Sequence, residues 1–309
     1  MTAAYPVDLH THTTRSDGRD TPQELLRRAA HLHIRVLAVC DHDVRPPLGA
    51  QGRDLKALAE ELGVIWLPGC EFSCDTLNED VHLVALGCRW EDAWFASYEE
   101  SVRGSKEEGY RRVLEALSQN GMPLRMEEVL EEAGIADAPQ NLQKKHIFEA
   151  MARRGYAASW KEAKALVQQT PSLNWKRTKP DPVQVIREVH RAGGLVVLAH
   201  PYLIAEHPLL AEGRKTTREQ YIRRLIRAGL DGIEARYTYD KTSYRGTLTK
   251  EEIEREVRRL YPLPILSGGS DYHADAKAGA PFCRELGEAG LSEEEFWSSP
   301  LARLAREAE

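Results

Sequence analysis

The chain repeats one pattern. A short, unbroken apolar run is followed by a helical stretch that carries its own start signal. The runs are Tyr5–Leu9, Val36–Cys40, Val64–Leu67, Val81–Gly87, Leu195–Ala199, Gly232–Ala235 and Leu263–Leu266. Continuous Val/Leu/Ile stretches suit strands buried on both faces, which is the situation of a parallel sheet covered by helices. Thr21-Pro22-Gln23-Glu24 provides an N-cap, a proline at the first helical position and a capping-box glutamate. Ser159 with Glu162 and Thr249 with Glu252 read as further capping boxes. Asp181-Pro182 opens a helix that Gly193-Gly194 closes. Strand and helix in alternation predict an α/β fold, either a barrel or a doubly wound sheet.

The middle of the chain breaks the rhythm. Between about Glu91 and Lys179 no strand is evident, and helical patterns cover Tyr98–Asn120, Arg125–Ala133, Lys144–Arg154 and Ser159–Gln169. The expectation is a barrel made of residues 1–90 and 180–309, with residues 91–179 forming a helical insertion that covers the site. The 309 residues, 42% hydrophobic, can bury a core without disulfide staples. A net charge of −6 argues against a protein that coats duplex nucleic acid. No apolar run is long enough for a membrane span, and Met1–Pro6 shows no signal-peptide pattern. The five cysteines are odd in number and contain no CxxC, so reduced thiols and a cytoplasmic location are expected.

The chemistry lies where the runs end. His10 and His12 alternate at the end of the first, so both imidazoles point to one face. Asp17 follows in a turn. Asp41-His42-Asp43 ends the second run and Glu71 the third. His82 opens the fourth, and a hairpin between the third and fourth would set it beside Glu71. His200 ends the fifth run, and Asp271 and His273 end the last. Active sites of α/β barrels form at the carboxyl ends of strands. One histidine in an apolar segment is ordinarily a satisfied core residue. Six of the eleven histidines and three acids at one rim are too many for packing alone, because buried carboxylates and imidazoles need compensation. Divalent cations supply it. Nine donors exceed one coordination shell and suit two or three cations with mixed N and O ligands, such as Mn, Zn or Fe, with Glu71 placed to bridge.

These stretches are Asp8-Leu9-His10-Thr11-His12, Ser16-Asp17-Gly18, Asp41-His42-Asp43, Gly69-Cys70-Glu71, Val81-His82-Leu83, Ala199-His200-Pro201 and Gly269-Ser270-Asp271-Tyr272-His273. Together they resemble the PHP (polymerase and histidinol phosphatase) family, and in particular its stand-alone phosphoesterases with a helical insertion. The resemblance implies a distorted (β/α)7 barrel with a di- or trinuclear metal cluster. By it, one metal takes His10, His12, Glu71 and Asp271. A second shares Glu71 and adds His82 and His200. A third takes Asp17, His42 and His273. It also implies a phosphoric ester hydrolase, in which a hydroxide formed from metal-held water attacks phosphorus. His42, Asp43 and His273 are candidates for the acid that protonates the leaving group.

The resemblance places substrate-binding cations in the insertion. Where relatives carry Arg-Pro-His, this chain has Lys144-Lys145-His146, and Arg177 stands at a second arginine position. Lys145 is a point charge in place of a forked guanidinium. After Gly232-Ile233-Glu234, the Ser-Gly-Ser-His stretch of nucleotide phosphatases is replaced by Arg236–Arg245. That leans toward relatives that open cyclic phosphate esters of sugars. Glu234 reads as either a structural acid or one that orients a ligand. The expected partner is a small phosphorylated metabolite, a sugar or nucleotide phosphate or a five-membered cyclic phosphate. Two alternatives are an amidohydrolase acting on C–N bonds, which would add a strand-end lysine absent here, and a non-catalytic metal-binding module.

Overall fold

A computed structural model of the chain describes residues 3–75, 80–137, 142–173, 179–208, 210 and 215–308. It divides into two compact units, Met1–Ala96 with Lys179–Glu309, and Ser97–Thr178.

The first unit is an α/β barrel. Seven strands lie side by side in chain order: β1 (Val7–Thr11), β2 (Val36–Val39), β3 (Ile65–Asp75), β4 (Asp80–Leu86), β5 (Leu195–Leu198), β6 (Gly232–Arg236) and β7 (Ile265–Gly268). Pairs β1–β2, β2–β3, β5–β6 and β6–β7 are parallel; β3–β4 and β4–β5 are antiparallel. The sheet nearly closes. Asp271 N donates to the His10 carbonyl at 2.8 Å, and His12 N donates to the Tyr272 carbonyl at 2.9 Å. Gly269 permits that approach, because a Cβ there would lie 2.3 Å from Cβ of His10.

The apolar runs are buried on both faces, as their composition requires. Val36, Ala38 and Cys40 of β2 and its extension join Val7, Leu9, Leu67, Val84 and Ile265 in the barrel core. Leu37 and Val39 point the other way, under α1 (Pro22–His31) and α2 (Gly49–Glu61). The Thr21 capping box of α1 forms as read. Ser159 caps its helix, but the glutamate arm reaches Ala158 N in place of Ser159 N.

The third strand differs from the expectation that Glu71 ends it. β3 runs on to Asp75, so Glu71 lies inside it. After Pro68 its pairing with β2 stops and a long hairpin with β4 takes over. Ser73 lies directly opposite His82, and Glu71 shares the face of Ser73.

The second unit is helical, with α3 (Ala93–Gln119), α4 (Met126–Glu132), α5 (Lys144–Arg153) and α6 (Trp160–Gln169) around a core of its own that includes Val113, Leu117, Val129, Ile147, Met151 and Val167. The first turn of α3 belongs with the barrel, where Trp94 and Phe95 pack tilted against Phe72, centroids 5.8 and 6.1 Å apart. Among the described residues no helix is long and apolar enough to cross a membrane.

Candidate metal centre

Each strand end delivers its side chain for a local reason. Strand alternation aims His10 and His12 at one face, and the Asp8 carboxylate anchors that strand. Asp8 accepts from Ser270 Oγ at 2.6 Å, Gly287 N at 2.9 Å and Ser270 N at 3.0 Å. Burial pushes its pKa up to about 6 despite those hydrogen bonds. The turn bearing Asp17 is tied to Asp41, which accepts from Thr13 N (2.8 Å), Thr13 Oγ1 (2.7 Å) and Ser16 Oγ (2.6 Å). Beyond β2, His42 bridges to Glu71 in parallel fashion, with Asp43 N donating to the Glu71 carbonyl at 2.9 Å. Asp43 (φ 57°), His200 (φ 29°) and Asp271 (φ 52°) all adopt left-handed backbone without being glycine. Strain of this kind gathers where side chains must be aimed.

The nine side chains converge. Glu71 is buried at the centre. Its Oε2 lies 3.2 Å from His10 Nε2, 3.3 Å from His12 Nε2 and 3.1 Å from His42 Nδ1. Its Oε1 lies 2.9 Å from His82 Nδ1 and 3.1 Å from His200 Nε2. Asp271 Oδ1 stands 3.1 Å from His12 Nε2, 3.5 Å from His273 Nδ1 and 3.6 Å from His10 Nε2. Asp17 Oδ1 is 3.1 Å from His273 Nε2, and its Oδ2 is 3.9 Å from His42 Nε2. Three overlapping groups emerge that could hold an ion: His10, His12, Glu71 and Asp271; His42, Glu71 and His82; and His12, Asp17, His42 and His273.

The donors fit a cation. His10 Nε2, both nitrogens of His12, His42 Nδ1 and Glu71 Oε2 are buried in poor hydrogen-bond geometry, and their near polar neighbours are one another, Asp17 and Asp271. Buried polar atoms so placed are costly. Their convergence from three separate chain segments gives them a common use. Glu234 completes the arrangement. Its Oε1 takes His10 Nδ1 at 2.8 Å and its Oε2 takes His200 N at 2.6 Å. The imidazole of His10 is thereby turned with Nε2 toward Glu71, the usual way a carboxylate orients a metal-ligating histidine.

The electrostatics follow from crowding. Burial opposes charge on His10, yet Glu71, Glu234 and Asp271 together hold its pKa well above the ordinary value. Burial also opposes charge on His12, and Asp271 and Glu71 still push it up to about 10. On His42 burial wins, and its pKa falls to about 4. Burial acts against ionisation of Glu71 and Asp271 too, but the surrounding imidazoles keep both carboxylates well below their usual range.

Other expected residues have local partners within their own units. Both carboxylate oxygens of Asp43 accept from Ser73, through N at 2.8 Å and Oγ at 2.9 Å, which clips the loop after β2 to β3. His42 and His273 turn ring nitrogens toward carboxylates, as ligands would. Lys145 lies at the start of α5, 3.5 Å from Glu149 and 5.9 Å from the Trp160 ring centroid. His146 Nδ1 accepts from Gln143 N at 3.3 Å. Arg177 lies outside the described residues. Two groups at the cluster escaped sequence reasoning. Tyr237 donates to Asp271 Oδ2 at 2.7 Å, and Arg284 pairs with the same oxygen. Tyr237 had a weak signal, lying just past β6; Arg284 sits in an irregular loop with none.

The chain is similar to known proteins. A protein of Eggerthella lenta named phosphoribosyl 1,2-cyclic phosphate 1,2-diphosphodiesterase is 29% identical over 270 residues, 86% of this chain and 93% of that one. A 3',5'-nucleoside bisphosphate phosphatase of Chromobacterium violaceum is 27% identical over 331 residues, 98% of this chain and 99% of its own length. A crystal structure from Bifidobacterium adolescentis, described as a candidate metal-dependent phosphoesterase, matches with a TM-score of 0.69 at 26% identity, covering 96% of this chain and 95% of that one. Residues 8–170, more than half of the 309, match the PHP domain, and the chain belongs to the PHP family of metal-dependent phosphoesterases.

Proposed function

We propose that the nine converging side chains hold two or three divalent cations (Mn, Zn or Fe) and that the enzyme hydrolyses a small phosphorylated metabolite. The observation that carries this reading is the convergence of five buried or half-buried imidazoles on the two oxygens of Glu71. His10, His12, Glu71 and Asp271 would hold one cation. His82 and His200, both against Glu71 Oε1, would hold the second with it. Asp17, His42 and His273 would hold the third. Bound divalent cations polarise a phosphoryl oxygen and acidify water near neutral pH.

The protein's own groups do the rest. Glu71 offers one oxygen to each half of the cluster and so suits a bridge. Glu234 fixes the ring of His10, and the Asp41 and Asp43 clips fix the loops that bear Asp17 and His42. The bridging place is held by a carboxylate, where an amidohydrolase of the kind considered above would place a lysine. Substrate contacts by Lys145, His146 and Arg177 are proposed on the family resemblance alone. Among substrates, cyclic and bis-phosphate esters rank first because the Eggerthella and Chromobacterium relatives are named for them. The cytoplasm is the proposed location.

The test is reconstitution with Mn²⁺ and a screen of nucleotides, sugar phosphates and five-membered cyclic phosphates for released inorganic phosphate. Turnover confined to one class names the substrate. Full metal loading with no phosphate released, alongside hydrolysis of amides or lactams, would overturn the assignment.

A further inference from the structure

We propose that Arg284 is a positioning residue for cation binding: with Tyr237 it pins the outer oxygen of Asp271, so that Asp271 presents only Oδ1 to the cluster. The inference rests on the reading of Asp271 as a cation ligand. Arg284 follows Asp271 by 13 residues, and its Nη1 donates to Asp271 Oδ2. Its Nε donates to Asp275 Oδ2 at 2.8 Å. The Tyr237 hydroxyl reaches the same Asp271 oxygen from β6. Oδ2 is therefore held from two directions, while Oδ1 faces the imidazoles of His10, His12 and His273.

Lodging a guanidinium, largely buried, against a ligand of cations costs electrostatic attraction for those cations. The arrangement makes sense if geometry outweighs that loss. A carboxylate locked in single-oxygen presentation is preorganised, and it leaves coordination space on the cation for a substrate oxygen. Partners that orient ligands in this way are typically worth about 10- to 100-fold in metal affinity. Lysine cannot replace the arginine, because one ammonium cannot reproduce the fork that grips Asp271 and Asp275 together. The loop itself has a second tether, Lys241, which donates to the Cys283 carbonyl at 2.6 Å and pairs with Glu288. Loss of the Arg284 side chain should therefore leave the fold in place.

The experiment titrates the cation-free full chain with Mn²⁺ alone. Calorimetry gives affinity and stoichiometry, metal content after desalting checks them, and circular dichroism checks folding. Asp271→Asn should lose one equivalent of Mn²⁺. Arg284→Gln should keep the stoichiometry and bind about 10- to 100-fold more weakly, Arg284→Lys should not restore it, and Tyr237→Phe should move affinity less in the same direction. Wild-type affinity in both Arg284→Gln and Tyr237→Phe, with the equivalent lost in Asp271→Asn, would overturn the positioning role alone. A full Mn²⁺ complement at wild-type affinity in Asp271→Asn would overturn the ligand reading beneath it. If Arg284→Gln fails to fold, Tyr237→Phe decides.

Discussion

Asp20 and Glu71 are both carboxylates whose side chains are about 1% exposed in the barrel unit, and they meet opposite surroundings. Asp20 is served by the protein. Lys277 Nζ stands 2.6 Å from its Oδ1, while Arg28 Nε at 3.1 Å and the Tyr272 hydroxyl at 2.8 Å reach its Oδ2. Glu71 meets five imidazoles and no permanent cation among its close contacts. A buried carboxylate needs compensation. At Asp20 the chain supplies it from Lys and Arg, and at Glu71 it supplies groups that hold either protons or metal. That difference would separate a structural acid from one that holds the proposed cations on the same fold. The hardest test of it is Glu71→Gln. The change keeps the shape, removes the charge and takes the proposed bridge from both halves of the cluster. Phosphate release should fall by at least about 10³-fold, with Mn²⁺ content reduced. A variant that keeps wild-type turnover would erase the distinction.

The second test uses pH. Imidazoles must be neutral to bind metal, whereas in the cation-free protein Asp271 and Glu71, against the opposing effect of burial, push His12 up to about 10. A histidine raised above its ordinary value of 6.5 stabilises the fold fully below that value. Its contribution is then lost as pH rises toward the folded value. The chelator-treated protein should lose melting temperature between roughly pH 6.5 and 10, while the Mn²⁺-loaded protein, with cations in place of protons, should not. Differential scanning calorimetry at several pH values checks it. Two curves that stay parallel would mean that the imidazole protons and the cations do not compete.

Most of this site was legible because its residues end apolar runs. His10 lies near the end of β1, and His12, His42, His200, Asp271 and His273 follow strands that hydrophobic pattern alone reveals. Glu71 was found for a partly mistaken reason. The apolar run stops at Leu67, but β3 continues to Asp75 because the hairpin with β4 supplies backbone partners after β2 ends. Hydrogen bonding to a neighbour leaves no mark in local composition. The same limit hid Arg284, whose role depends on a loop folding back across the β7 end. Asp43 shows the opposite limit. Its position next to His42, just past the end of β2, suggests chemistry, and only the packing against Ser73 shows that both oxygens accept hydrogen bonds within the protein. Capping chemistry was the most readable layer, since each box closes within four residues.

The smallest expected effects fall on the Asp20 side, where they sharpen the comparison by leaving metal binding alone. Lys277 and the carboxyl groups near it hold the turn after His273, and Asp20 keeps its charge because Lys277, Tyr272 and Arg28 outweigh the burial that opposes it. Asp20→Asn should cost about 1.5–3 kcal/mol, the worth of hydrogen bonds to a charged group, and Tyr272→Phe about 1 kcal/mol. Denaturant melts of the chelator-treated variants measure both. The cations left behind are not stranded, since Arg28 and Lys277 have side chains 41% and 43% exposed and can turn to water. Mn²⁺ affinity and stoichiometry should stay at wild-type values in both variants. If Asp20→Asn instead weakens Mn²⁺ binding as much as it weakens folding, then the turn after β7 transmits strain to Asp271 and His273, and the two carboxylates belong to one coupled system.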